Sequence, residues 1–126
     1  MRVIQQKHGL AYIFISHDLG VVKHISDRVA VMYLGKIVEM AEKEEFYDHP
    51  VHPYSIALLS AIPNPDPTVK KEKILIYSEV NFQQYSDGCR FSHRCWKAKD
   101  ICHEQTPELR KISDGHMVAC HLAKDY

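Results

Sequence analysis

No stretch of this sequence is long and apolar enough to cross a bilayer. Its longest apolar runs, residues 10–15 and 56–62, fall far short of the roughly 20 residues that a membrane-spanning helix needs. An excess of either charge is also missing: Lys plus Arg number 16, Asp plus Glu number 16, and the formal net charge is zero. Phosphate affinity comes mainly from surplus Lys and Arg, so this balance argues against a nucleic-acid partner. The short basic run at 70–73 reads as a solvated linker. The first nine residues mix Arg2, Lys7 and His8 with apolar side chains and offer no small-residue cleavage site, which argues against a secretory leader. Glycine is scarce, at positions 9, 20, 35, 88 and 115 only. None of them opens a GxxxxGK[ST] loop, so the chain has no such cradle for phosphates. These absences predict a reducing cytoplasm, where the four cysteines are metal ligands, catalytic groups or plain thiols rather than disulfides.

What is present reads as one small domain or a piece of a larger one. Residues 1–7 carry Val3, Ile4 and Lys7 at helical spacing and stop at Gly9, the pattern of the last turns of a helix. Residues 10–15 form an almost wholly apolar run, which suits a buried strand of a parallel sheet. Asp18 or Ser16 caps a helix running to Ser26, with Leu19, Val22 and Ile25 on one face. Residues 28–34 and 36–40 are β-rich and meet at Gly35, the pattern of a hairpin. Residues 44–48 make a helical turn stopped by Pro50. Pro53 then stands where a first helical residue belongs, and Ile56, Leu58, Leu59 and Ile62 supply a buried face. Residues 63–67 alternate with proline and predict an extended linker. Residues 74–80 predict a strand. From 87 to 120 apolar residues are too few for core burial alone, and the segment calls for a staple.

His17 follows directly on the apolar run 10–15. Ligands in open α/β sheets bind at the carboxyl ends of strands, so His17 stands where a site belongs. The run Tyr12-Ile13-Phe14-Ile15-Ser16-His17-Asp18, then Ser26-Asp27-Arg28-Val29-Ala30-Val31-Met32 and Gly35-Lys36-Ile37-Val38-Glu39, closely resembles the end of an ABC ATPase core. The resemblance implies that His17 is the switch histidine, which senses the γ-phosphate and helps to fix the attacking water. Phosphoryl transfer depends on positioning and charge stabilisation, and an imidazole supplies both. The phosphate loop, the signature motif and the catalytic carboxylate of that family are absent here, so the chain alone is expected neither to bind nor to hydrolyse ATP.

His49-Pro50-Val51-His52-Pro53-Tyr54-Ser55-Ile56-Ala57-Leu58-Leu59-Ser60-Ala61-Ile62-Pro63 resembles the tail that follows the core in oligopeptide and dipeptide importer ATPases. The implied fold is an α/β fragment, the end of an ABC ATPase core, followed by a small α+β, cysteine-containing C-terminal extension. Its expected divisions are 1–42 for the core end, 43–67 for the helical segment and Pro-rich linker, and 68–126 for the extension. The implied parent is a peptide-importer subunit on the cytoplasmic face of the cell membrane. It binds ATP and Mg, and works with a second ATPase subunit and membrane permease subunits.

Cys89, Cys95, Cys102 and Cys120 are separated by five, six and seventeen residues. These intervals fit neither the usual zinc-finger pairs nor standard ferredoxin spacings. Spacing alone leaves a metal site, free thiols and disulfides open, and the thin core tilts the choice toward metal. The surrounding residues, among them Gly88-Cys89-Arg90-Phe91, His93-Arg94-Cys95 and His116-Met117-Val118-Ala119-Cys120-His121, resemble the C-terminal extension of peptide-importer ATPases. That resemblance implies a [4Fe–4S] cluster with Cys89, Cys95, Cys102 and Cys120 as ligands, and Arg90 and Arg94 near enough to offset its charge. His93, His103, His116 and His121 keep a mixed Cys/His zinc site as the rival. A stand-alone metal-binding interaction module is the competing function. Uncovered apolar residues at 10–15 predict self-association.

Overall fold

The computed structural model describes residues 2–76 and 87–124. Its elements, in chain order, are α1 (Arg2–His8), α2 (Leu19–Ile25), β1 (Arg28–Tyr33), β2 (Lys36–Glu42), α3 (Lys43–Asp48), α4 (Pro53–Ser60), α5 (Asp100–Glu104), β3 (Arg110–Ser113) and β4 (His116–Val118). The four strands form a single antiparallel sheet in the order β1-β2-β4-β3.

The hairpin stands where the sequence predicts it. Leu34 and Gly35 both take positive φ, at 46° and 77°, the conformation that lets a two-residue turn follow the right-handed twist of its strands. Gly35 adopts it freely, whereas a leucine there is strained. In β1 the side chains alternate, with Val29, Val31 and Tyr33 turned into the core. They pack with Val38, Ala41, Phe46, Leu59 and Phe91. Asp18 caps α2 by accepting from the Val21 N–H at 3.1 Å, and Tyr47 ties α3 to α2 through a hydrogen bond to the Leu19 carbonyl.

Three expectations change. Residues 10–15 are not a strand: they pair with nothing among the described residues, and Ile13 and Ile15 are 95% and 92% exposed. A strand exists only through its ladder, and apolar composition cannot supply the partner. No parallel pair occurs among the described residues, since all three strand pairings are antiparallel. Helix α4 begins at Pro53 as expected, and of the expected face Leu59 is buried while Leu58 and Ile62 pack half-buried against the core; its other buried residues are Pro53, Ser55 and Ala57, and Ile56 is only half-buried. Residues 74–76 are not a strand, and the remainder of the expected strand at 77–80 lies outside the described residues.

The sheet also joins segments far apart in the chain. Strand β4 pairs with β2 through Glu39↔Val118 and Met40↔Met117, and the Ala119 N–H donates to the Val38 carbonyl at 2.8 Å. The cysteine-bearing tail is thus hydrogen-bonded to the hairpin. A second apolar cluster of Ile112, Val118 and Ala123, with Val51 and Cys120 against it, covers this end.

Candidate metal centre in the C-terminal tail

Each cysteine is delivered by a different local element. Cys89 follows Gly88, whose φ is +87° and whose missing Cβ would stand 2.6 Å from the His103 carbonyl oxygen. That close approach demands glycine, and it lets the Cys89 N–H donate to the Cys102 carbonyl at 2.7 Å. Cys95 ends a single 3-10 turn over Ser92–Arg94. Cys102 lies within α5 and is buried. Cys120 follows β4 in the turn closed by the Ala123 N–H.

All four thiols line one pocket, together with His52, Pro53, Phe91, Ser92, His121 and Leu122. The free space they enclose is about 10 Å³, on the order of one water molecule. A multinuclear group therefore enters only as the sulfurs separate. Among the described residues no three His, Cys, Asp or Glu side chains form a ready group for one metal ion.

Burial pushes the Cys89, Cys95 and Cys120 thiols above their ordinary range, and repulsion between neighbouring thiolates adds to it. Opposing that, a backbone N–H two residues further on stands beside each sulfur: Phe91 for Cys89, Lys97 for Cys95 and Leu122 for Cys120. Three sulfurs thus carry donors suited to a thiolate, while burial keeps the thiols protonated until something displaces the proton. Sulfur is the soft donor type that iron–sulfur and zinc chemistry uses, and the four cysteines bring it to one pocket without forming a ready metal group among the described residues.

The surrounding residues take other duties than their sequence position suggests. Arg90 donates to the Leu34 carbonyl at the strained hairpin turn, and Arg94 donates to the Tyr33 hydroxyl at 3.2 Å. Both guanidinium groups are therefore engaged at the hairpin. Rings of Tyr33, Tyr54 and Phe91 pack edge-on or tilted at 4.8–5.3 Å, filling the space between hairpin, α4 and the cysteine loop. His121 lines the pocket and bonds the Gln105 carbonyl at 2.7 Å. The His93 and His103 rings lie 5.1 Å apart.

Two residues not singled out from the sequence hold this region together. Glu39, fully buried, accepts from the Val51 N–H and the His52 N–H, each at 2.9 Å. It also meets His116 Nε2 at 2.7 Å, a partner likewise fully buried. His116 Nδ1 reaches Glu45 at 3.3 Å. A charged residue inside β2 gave no sign that its face would be covered. His52 is the N-cap of α4, its Nδ1 accepting from the Tyr54 N–H at 3.0 Å. Burial lowers its pKa to about 4, so the ring is neutral near pH 7. Pro53 at the first helical position was the available signal, because it makes residue 52 the cap.

His17 stands apart from all of this. It is exposed, at a bend just before the Asp18 cap of α2.

Residues 38–102 match the family model described as "Oligopeptide/dipeptide transporter, C-terminal region". The chain belongs to that family. It is 50% identical over 125 residues to the oligopeptide transport ATP-binding protein AppF of Bacillus subtilis, covering 97% of this chain and 38% of that protein. The dipeptide transport ATP-binding protein DppF of Haemophilus influenzae is 45% identical over 121 residues, 95% of this chain and 37% of its own length. This member therefore spans less than two-fifths of the curated relatives it matches. The family match takes in Cys89, Cys95 and Cys102 and leaves out His17 and Cys120. No helix among the described residues is long and apolar enough to cross a membrane.

Proposed function

We propose that this chain is part of the ATP-binding subunit of a peptide importer, and that its tail holds a [4Fe–4S] cluster on Cys89, Cys95, Cys102 and Cys120. The observation that carries the tail's role is the convergence of four thiols, from four separate local elements, on one pocket. Bound there, the cluster supplies a covalent staple for a segment with few apolar residues of its own. The chain's residues do the rest: backbone N–H groups of Phe91, Lys97 and Leu122 stabilise thiolates, and Phe91 excludes water. Zinc on the same thiols is the second reading, favoured by the histidine His121 in the pocket lining.

In the parent subunit, which binds ATP and Mg, His17 senses the γ-phosphate, and residues 1–42, 43–67 and 68–126 serve as core end, linker and extension. Its partners are a second ATPase subunit and membrane permeases, on the cytoplasmic face of the membrane. The near-complete exposure of Ile13 and Ile15 supports self-association of the isolated chain.

Anaerobic purification tests the tail directly. Brown protein with four irons and four sulfides per chain is expected, and a Cys89→Ser/Cys102→Ser double variant should lose both. Colourless protein carrying a single zinc overturns the cluster and leaves the zinc reading.

A further inference from the structure

The C-terminal hairpin of β3 and β4 is fastened to the rest of the fold by a histidine set between two carboxyl groups. His116 in β4 and Glu39 in β2 are both fully buried, and Nε2 of the ring lies 2.7 Å from Glu39 Oε1. On the other side of the ring, Nδ1 stands 3.3 Å from Glu45 Oε1 in α3. Both ring nitrogens therefore face a carboxyl oxygen, and neither is left for a metal. A neutral imidazole has one N–H and donates to only one of the two oxygens, whereas an imidazolium donates to both. Glu39 also accepts the backbone N–H groups of Val51 and His52, a set of donors that suits an ionised carboxylate. The Glu45 carboxyl is held below its ordinary value, first by its hydrogen bond from His49 and also by the one from His116, so it too is ionised near neutral pH.

The remaining charges nearby favour a cation on the ring. Glu42, Glu44, Glu45 and Asp114 line an open cleft with Ser113, which pairs with His116 across the β3–β4 hairpin. The basic groups on these elements are drawn to those acids: Lys43 to Glu44 at 3.3 Å, Lys111 to Asp114 at 2.9 Å and His49 to Glu45 at 3.1 Å. Arg110, opposite Val118 at the far end of β3, donates to the Ala123 carbonyl.

We propose that His116 is a proton-operated latch, in which Nε2–H holds β4 to Glu39 and a second proton on Nδ1 couples the tail to α3 through Glu45. As the pH rises and Nδ1 loses its proton, the ring keeps Glu39, the shorter and fully buried contact. It then turns a lone pair toward the Glu45 carboxylate, which repels it, and α3 is released from the C-terminal hairpin. The latch is independent of what the cysteine pocket holds.

NMR of the full chain with isotopically labelled histidine, assigned through the backbone, reads the proton on each ring nitrogen. Near neutral pH both His116 nitrogens should carry one. A proton on Nδ1 alone would place the other on Glu39, and a proton on Nε2 alone would leave Glu45 unbonded; either result overturns the latch. Glu45→Gln removes the second carboxylate at a side chain that is 38% exposed. The proton affinity of His116 should then fall at least tenfold, so that it titrates about one pH unit lower, and an unchanged titration overturns the coupling. Amide exchange in α3, corrected for intrinsic rate, should quicken across the His116 titration in the wild type and not in Glu45→Gln. Protection that stays constant across the wild-type titration overturns the release of α3. Should Glu45→Gln lose its fold by circular dichroism, the ring protons and α3 exchange of the wild type decide by the same outcomes.

Discussion

Residues 10–18 and residues 87–122 both carry a motif that invites a functional reading, yet the chain treats them oppositely. The first presents Ile13, Ile15 and His17 to solvent, with no strand beside them among the described residues. The second draws its four cysteines into one pocket and ties them to the hairpin through β4, Arg90 and the Tyr33–Phe91 packing. A motif becomes a site only when the residues that position it are close at hand. The tail meets that condition through contacts to residues 33–62, all within this chain.

This contrast predicts unequal responses to mutation. Glu39→Ala removes the acceptor of two backbone N–H groups and strands the fully buried His116. Loss of one partner of a buried pair typically destabilises by about 3–5 kcal/mol, which urea unfolding followed by circular dichroism should register. Acidification comes next. The folded-state pKa of His52 is depressed from 6.5 to about 4, so the unfolded chain binds the extra proton first. The stabilisation is complete above pH 6.5 and fades as the pH falls to 4, by about 3 kcal/mol in all. His52→Asn should flatten that stretch of the stability–pH profile, and an unaltered slope would assign it to other groups.

The smallest effect belongs to the first region. Ile13→Ala and His17→Ala should leave the unfolding free energy of this chain within about 0.5 kcal/mol of wild type. A loss of several kcal/mol at either position would mean that residues 10–18 are packed in solution, and the contrast would fail.

Much of the local structure was legible in the sequence. The Asp18 cap, the hairpin at Gly35 and the start of α4 at Pro53 all depend on residues within a few positions of one another, and all stand where expected. The strand expected at 10–15 did not form, because a ladder needs a second backbone that composition does not reveal. Hydrophobicity locates only part of the buried face of α4: Leu59 is buried and Leu58 and Ile62 pack half-buried against the core, while the small residues Ser55 and Ala57 are buried too. The four cysteines stand out as a set in the sequence, but their spacing alone does not show that they share a pocket. Nor could it show that His52, 37 positions before Cys89, lines it with them.

By itself the sequence determined what depends on neighbours along the chain: the caps, the tight turn, the proline-started helix and the presence of four soft sulfur donors. Only the tertiary structure decided that β4 pairs with β2, that Glu39 and His116 meet in the interior, and that His52 lines the cysteine pocket. Those outcomes are long-range. Each comes from burying apolar surface and pairing polar groups between segments dozens of residues apart, and no local pattern records which segments those will be.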